Sequence, residues 1–234
     1  PMNRFLKGAM ILTIAGVIVK IIGAFSKVLV ARILGGEGIG LYMMAYPIYQ
    51  IIVSISAAGI PVAISIMIAE KLANRDMRGV QQVFNVSLRV LTLVGIIFSV
   101  GLYASAEWLI KWNIITDPRA LIPIQLLSPA IIVVTILSCF RGYFQGFQYM
   151  VPTGTSQVFE QIFRVGSMVG LAYYFIDSGL HLAAGGATFA TFPGVLAGLI
   201  VLVYFYRSQR SLRQQMLSEQ NEEATIERTS AVIK

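Results

Sequence analysis

Long apolar runs dominate this chain, and a helix of about 20 apolar residues is what the hydrocarbon core of a bilayer demands. Six such runs can be placed, at roughly 9–34, 39–69, 84–110, 121–140, 154–176 and 181–206. Only 12% of the residues are charged, against about a quarter in a soluble domain. The expectation is an all-α membrane protein of six transmembrane helices over 1–206, with a polar, helix-prone tail or linker over 207–234. The first run lacks a small-residue cleavage site and continues too far for a signal peptide, so it is read as a retained helix.

The residues between the runs punctuate them. Gly35-Gly36-Glu37-Gly38 predicts a tight turn closing the first span. The second span is long enough to bend, with Pro47 and Pro61 as the expected bending points. Trp108 and Trp112 close the third span as interfacial aromatics. With six spans, the N-terminus, the 70–80 and 141–152 connections and the tail lie on one side. That side holds Arg4, Lys7, Lys71, Arg75, Arg78, Arg141, Arg207, Arg210 and Arg213; the other holds Arg32, Lys111 and Arg119. Positive charge collects on the cytoplasmic side of membrane proteins, so both termini are expected there. The net charge of +7 is thereby read as topology, and no nucleic-acid partner is expected. The single Cys139 excludes an intramolecular disulfide and a cysteine-rich metal site, and is read as a buried small hydrophobe.

Charges inside a span are costly and by default mark a pathway or a site. Lys20 and Lys27 stand two helical turns apart on one stripe with Thr13, Gly16, Gly23 and Ala31. Such a stripe faces another helix or a water-filled cavity, although long lysine stems also reach the interfaces. The fifth span repeats the pattern with Thr153, Gln157, Glu160, Arg164 and Ser167, and Gln161 beside them. Glu160 and Arg164 are spaced for an intrahelical ion pair, which serves either a site or simple stitching of helices. Asn85 and Arg89 form a polar entry to the third span that snorkelling explains. Lys20, Lys27, Arg89 and Arg164 are opposed by Glu160 alone, and a cavity with that balance attracts an anion, phosphate above all.

Other features say less. Gly142/Gly146, Gly166/Gly170 and Gly194/Gly198 have the spacing of close helix packing. Gly35 to Gly40 follows a helix and lacks the lysine and hydroxyl of a phosphate loop. Tyr42, Tyr46 and Tyr49 share a face suited to stacking on a sugar or to interfacial packing. His181 stands alone, and no nucleophile–base–acid set or metal-ligand spacing emerges, so neither an enzyme nor a cofactor or metal is expected.

Four stretches have a recognisable wording: Phe5-Leu6-Lys7-Gly8, the run Ala31 to Met44, Gly59-Ile60-Pro61-Val62-Ala63-Ile64-Ser65, and Arg141-Gly142-Tyr143-Phe144-Gln145-Gly146 continuing through Pro152 to Ser156–Arg164. In this order they resemble the polysaccharide-biosynthesis branch of the multidrug/oligosaccharidyl-lipid/polysaccharide exporter superfamily, nearest its stage V sporulation protein B and lipid II flippase groups. The resemblance covers nearly all of 3–206. It implies one six-helix lobe of a V-shaped, MATE-like transporter of the bacterial cytoplasmic membrane, with a second six-helix lobe as partner. It also implies alternating-access movement of an undecaprenyl-pyrophosphate-linked saccharide among membrane lipids. Cationic residues of the first helix face the cavity in lipid II flippases, which would place Lys20 and Lys27 on the pyrophosphate. Lysine keeps the charge of the family's frequent arginine but lacks its bidentate fork. Arg164, Glu160 and Gln157 are the further cavity candidates, and Pro47, Pro61, Gly35 and Gly36 the hinge candidates. The rival readings are a cation-coupled drug exporter of the same fold, disfavoured by the shortage of buried carboxylates, a non-transporting scaffold for envelope enzymes, and a membrane glycosyltransferase, disfavoured by the absence of a paired-carboxylate loop.

Overall fold

Apolar side chains supply no hydrogen bonds, so a chain this apolar satisfies its backbone by winding into helices. The computed structural model describes residues 3–57 and 59–232, with no side-chain detail for Arg4, Ser56, Ala57 and residues 222–232. Among these residues there are eight α-helices and no strand. They are α1 (Arg4–Ala57), α2 (Ile60–Ala73), α3 (Met77–Lys111), α4 (Leu121–Gly146), α5 (Val151–Phe175), α6 (Leu180–Phe189), α7 (Thr191–Ser208) and α8 (Arg210–Val232). Single 3-10 turns, Pro118–Ala120 and Ile176–Ser178, precede α4 and follow α5.

Among the described residues, four stretches are long and apolar enough to cross a membrane: Phe5–Ala73, Met77–Lys111, Pro118–Gly146 and Leu180–Ser208. The first, at 69 residues, holds two of the expected spans. The expected turn over Gly35–Gly38 is instead a one-residue break, Gly35 (φ 66°, ψ −177°), between two helical arms. Gly38 lies against Leu180, beyond the far end of α5, whereas Tyr46, Tyr49 and Ser54 share a cavity with Glu160 and Arg164. The second arm of α1 therefore runs back along α5. Helical dihedrals continue through Pro47. The other bend falls at Gly59 (φ 71°), just ahead of Pro61, which occupies the first turn of α2 where its missing N–H is not needed. α5, at 25 residues, is about 37 Å long, enough to cross, but Gln157, Glu160, Gln161 and Arg164 lower its hydropathy.

Glycines bring the helices together. α4 meets α2 at Gly142 and Gly146, where an added Cβ would lie within 3.0 Å of Ile64 and Ile68 side chains. α7 meets α5 at Gly194 and Gly198 against Arg164, Glu160 and Ser156. The third spaced pair, Gly166 and Gly170, is exposed with nothing near. The first arm of α1 lies parallel to α5, with Gly8 against Met150, Ile11 and Ala15 against Gly154, and Gly23 against Gln161. One core gathers around the second arm of α1, α4 and α6. The other gathers around α2, α3 and α4, where the Phe84, Phe140, Tyr143 and Tyr206 rings pack edge and face. Cys139 is fully buried there.

The loops sort to two ends. At one, the Asp76 side chain caps α3 by accepting from the Gly79 N–H at 2.8 Å, and Gln220 of α8 reaches Asp76. Arg78 bonds Asn221, and Arg213 covers the Tyr206 ring. At the other, Arg119 bridges Glu37 (2.6 Å) and Asp117 (2.7 Å). Arg141, placed in a connection by the sequence reading, lies instead in the last turns of α4, which continues to Gly146.

Two outcomes test these assignments. Gly35 holds a conformation open essentially to glycine alone, so Gly35→Ala is expected to lower stability by about 1–3 kcal/mol. Gly36→Ala, helical with open space at its Cβ, should instead be neutral or stabilising by about 0.5–1 kcal/mol. Thermal unfolding in detergent distinguishes the two. The Asp76 carboxyl is held below its ordinary 3.8, first by the Gly79 N–H, with Gln220 and Lys71 adding to it. A carboxylate with a depressed folded pKa stabilises fully above its unfolded value and ceases to as pH falls through the folded one. Hydrogen-exchange protection at the start of α3 is thus expected to fall below about pH 4, and Asp76→Asn should flatten that dependence.

Candidate functional site

α5 positions the polar groups that the bundle must enclose. Its outer face carries Phe159, Ile162 and Phe163, all exposed, so the face bearing Gln157, Glu160 and Arg164 is turned inward by helical periodicity. Glu160 is shared by two arginines: Oε1 accepts from Arg164 Nη2 at 2.6 Å and Oε2 from Arg141 Nη2 at 2.7 Å. All three side chains are 15–20% exposed. Arg141 also approaches the Ser156 hydroxyl at 3.4 Å. The two arginines come from neighbouring helices, so the carboxylate ties α4 to α5 as well as bracing α5 along its own length.

Beside this triad lies a cavity of about 390 Å³ lined by Tyr46, Tyr49, Gln50 and Ser54 of α1, Ser138 and Arg141 of α4, and Glu160 and Arg164 of α5, with Val53, Val134 and Leu137. Tyr42 stacks on Tyr46 (5.4 Å) and Tyr46 tilts against Tyr49 (5.7 Å). Glu160 is the one acid in this lining, against two guanidinium groups.

Lys20 and Lys27 lie apart from the triad, exposed on the first arm of α1, and no described side chain bonds either one. The helical register nonetheless relates the two groups. Ile11, Ala15 and Gly23 face α5, and at about 100° per residue Lys20 and Lys27 fall on one flank of that seam. Because the helices are parallel, the same flank on α5 carries Gln157, Glu160 and Arg164. The large exposed apolar residues of α1, Met10, Ile14, Val17, Ile21, Phe25 and Val28, fall on the opposite flank. Gln161 is buried against Gly23 and Gln157 is half-buried. Of the hinge candidates, Gly35 marks the break in α1, Pro61 starts α2, and Pro47 and Gly36 lie within helix. Among the described residues no cluster of metal-ligating side chains is present.

Residues 5–225 match the family described as polysaccharide biosynthesis protein. The chain belongs to that family. It stands in the lipid-flippase and polysaccharide branch of the exporter superfamily, and its helices form a MATE-like fold. Over 211 residues it is 34% identical to stage V sporulation protein B of Bacillus subtilis, covering 90% of this chain and 40% of that protein. Over 225 residues it is 29% identical to the lipid II flippase MurJ of the same organism, covering 92% and 41%. A crystal structure of MATE in complex with MaL6 superposes with a TM-score of 0.68 at 15% identity, over 92% of this chain and 49% of that one. The chain thus spans about two-fifths of the length of the curated relatives.

Sequence reasoning missed Arg141, together with Gln50, Ser54 and Ser138 of the cavity lining. The signal for Arg141 was present, because Ser138 and Arg141 fall one turn apart on α4, but a fourth span ending at 140 puts Arg141 in the connection that follows. A double-mutant cycle of Arg141→Gln and Glu160→Gln is expected to show a coupling of about 0.5–3 kcal/mol in thermal unfolding. Strict additivity would mean that the Arg141–Glu160 contact carries no energy.

Proposed function

We propose that this chain is the N-terminal lobe of a flippase for an undecaprenyl-pyrophosphate-linked saccharide, a cell-envelope precursor, in the bacterial cytoplasmic membrane. In this reading 1–206 cross the membrane six times: the first arm of α1 is one crossing, its second arm with α2 another, α3, α4 and α5 one each, and α6 with α7 the last. Both termini lie on the cytoplasmic side, where Lys7, Lys71, Arg75, Arg78, Arg207, Arg210 and Arg213 collect. Residues 207–234 lead toward a second lobe that closes the cavity opposite this one.

The observation that carries the reading is the common flank of Lys20, Lys27 and the α5 polar face. Two unpaired ammonium groups beside a cation-rich wall give a surface that draws in a polyanion and repels a cation. Lysine meets the pyrophosphate as a point charge, without the fixed fork of arginine. Family membership and the named relatives support the same class of cargo. A cation-coupled exporter would need carboxylates where this flank offers ammonium groups. Rocking of the lobe is assigned to Gly35 and to the Gly59–Pro61 bend, with Gly36 and Pro47 inside the moving arm.

The test is binding of undecaprenyl-pyrophosphate saccharide to the full-length protein in nanodiscs. Lys20→Gln/Lys27→Gln is expected to weaken binding about tenfold or more, equivalent to about 1.4 kcal/mol or more, while leaving thermal unfolding unchanged. Equal binding in parent and variant, or binding of a lipophilic cation in place of the saccharide, would overturn the reading.

A further inference from the structure

A carboxylate that only stitches α5 to its neighbour needs one arginine, and Glu160 has two. The second guanidinium leaves one positive charge uncompensated in the cavity lining. Arginine brings five N–H donors, yet each arginine gives Glu160 a single Nη2 contact. The Nε of Arg164 is buried with no acceptor, a state that costs free energy until a partner arrives. The rest of the wall is also built for hydrogen bonding: Tyr46, Tyr49, Gln50, Ser54 and Ser138 surround the same space. Its volume, about 390 Å³, falls within the range of small-molecule sites, about 300–1,000 Å³.

We propose that this cavity is a second oxyanion subsite, separate from Lys20 and Lys27, in which an entering phosphate or carboxylate competes with Glu160 for Arg141 and Arg164. The arriving anion takes the Nη2 donors from the glutamate and lets the Arg164 guanidinium turn so that Nε gains an acceptor. The Tyr46 and Tyr49 rings then flank whatever carries the anion. Glu160 is the resident stand-in that keeps two part-buried guanidiniums tolerable while the site is empty. The flippase reading supplies the source of the anion, either the carrier pyrophosphate or an acidic group of the saccharide; the chemistry of the site does not depend on it.

The prediction is directional, because a purely structural triad gives no gain on losing its carboxylate. Full-length protein carrying Lys20→Gln/Lys27→Gln, in nanodiscs, is titrated with inorganic pyrophosphate and, separately, with glucuronate. At least one probe is expected to bind. Adding Glu160→Gln should tighten that binding about tenfold, because the competitor is gone, and adding Arg164→Gln should abolish it. Ser138→Asp places a carboxylate on the cavity wall with all three triad residues intact, and should also abolish binding even if the Glu160 variant unfolds. Binding of pyrophosphate alone assigns the subsite to the carrier, and binding of glucuronate alone assigns it to the sugar. No binding of either probe, or binding indifferent to Glu160→Gln and Ser138→Asp, overturns the proposal. If the lysine pair still governs cargo binding in that case, the flippase reading stands without this subsite.

Discussion

A hydrocarbon layer offers no hydrogen-bond partner, so each backbone carbonyl freed inside it must be answered from within the protein. That constraint accounts for details that would pass as decoration in water. Pro129 sits inside α4 and cannot donate to the Gln125 carbonyl; the Ser128 hydroxyl donates to that carbonyl at 2.7 Å. The Ser128 carbonyl in turn accepts from the Ser99 hydroxyl of α3 at 2.7 Å, and the Pro123 carbonyl from Thr188 of α6 at 3.2 Å. The proline inside α4 thus lies beside the point where α3 is fastened to it, and α6 is fastened further upstream at Pro123.

The same constraint shapes the candidate site. A guanidinium and a carboxylate drawn out of water are tolerable only when they meet, and small residues let a neighbouring helix cover the pairs. Gly194 and Gly198 let α7 lie against the backbone and Cβ atoms of Glu160 and Arg164. A bulkier α7 surface would hold that helix away and leave the ion pairs open on that side. Electrostatics and packing are therefore one problem here: the glycines of α7 shield what the arginines neutralise.

Much of this was legible in the sequence, for physical reasons. Runs of apolar residues have one stable solution in a bilayer, so the helices were legible, and the three- and four-residue spacing of Glu160, Arg164 and Gln157 fixed their shared face. The breaks were less so. A glycine cluster signals freedom of the backbone, not the use made of it, and Gly35–Gly38 spends that freedom on one residue. Pro61 reads as a bend, but proline suits the first turn of a helix, which moves the bend upstream to Gly59. Arg141 was misplaced because a charge ends an apolar run; the helix itself continues to Gly146, and the partner that answers the charge is Glu160, nineteen residues on, a pairing with no local signature. The gathering of Tyr46, Tyr49, Ser138 and Arg141 around one cavity depends likewise on how three helices cross.

Glu37 stands two residues past the break in α1 and is held by Arg119, whose fork also grips Asp117 at the entrance to α4. The second arm of α1 is thus moored to the turn between α3 and α4, and any swing about Gly35 either carries that turn along or parts the pair. Exposed pairs of this kind contribute little to stability and are screened over roughly a Debye length. The mooring is therefore loose enough to slip within the thermal motion of the molecule, and its grip is set by the ionic strength of the solution bathing that end of the bundle.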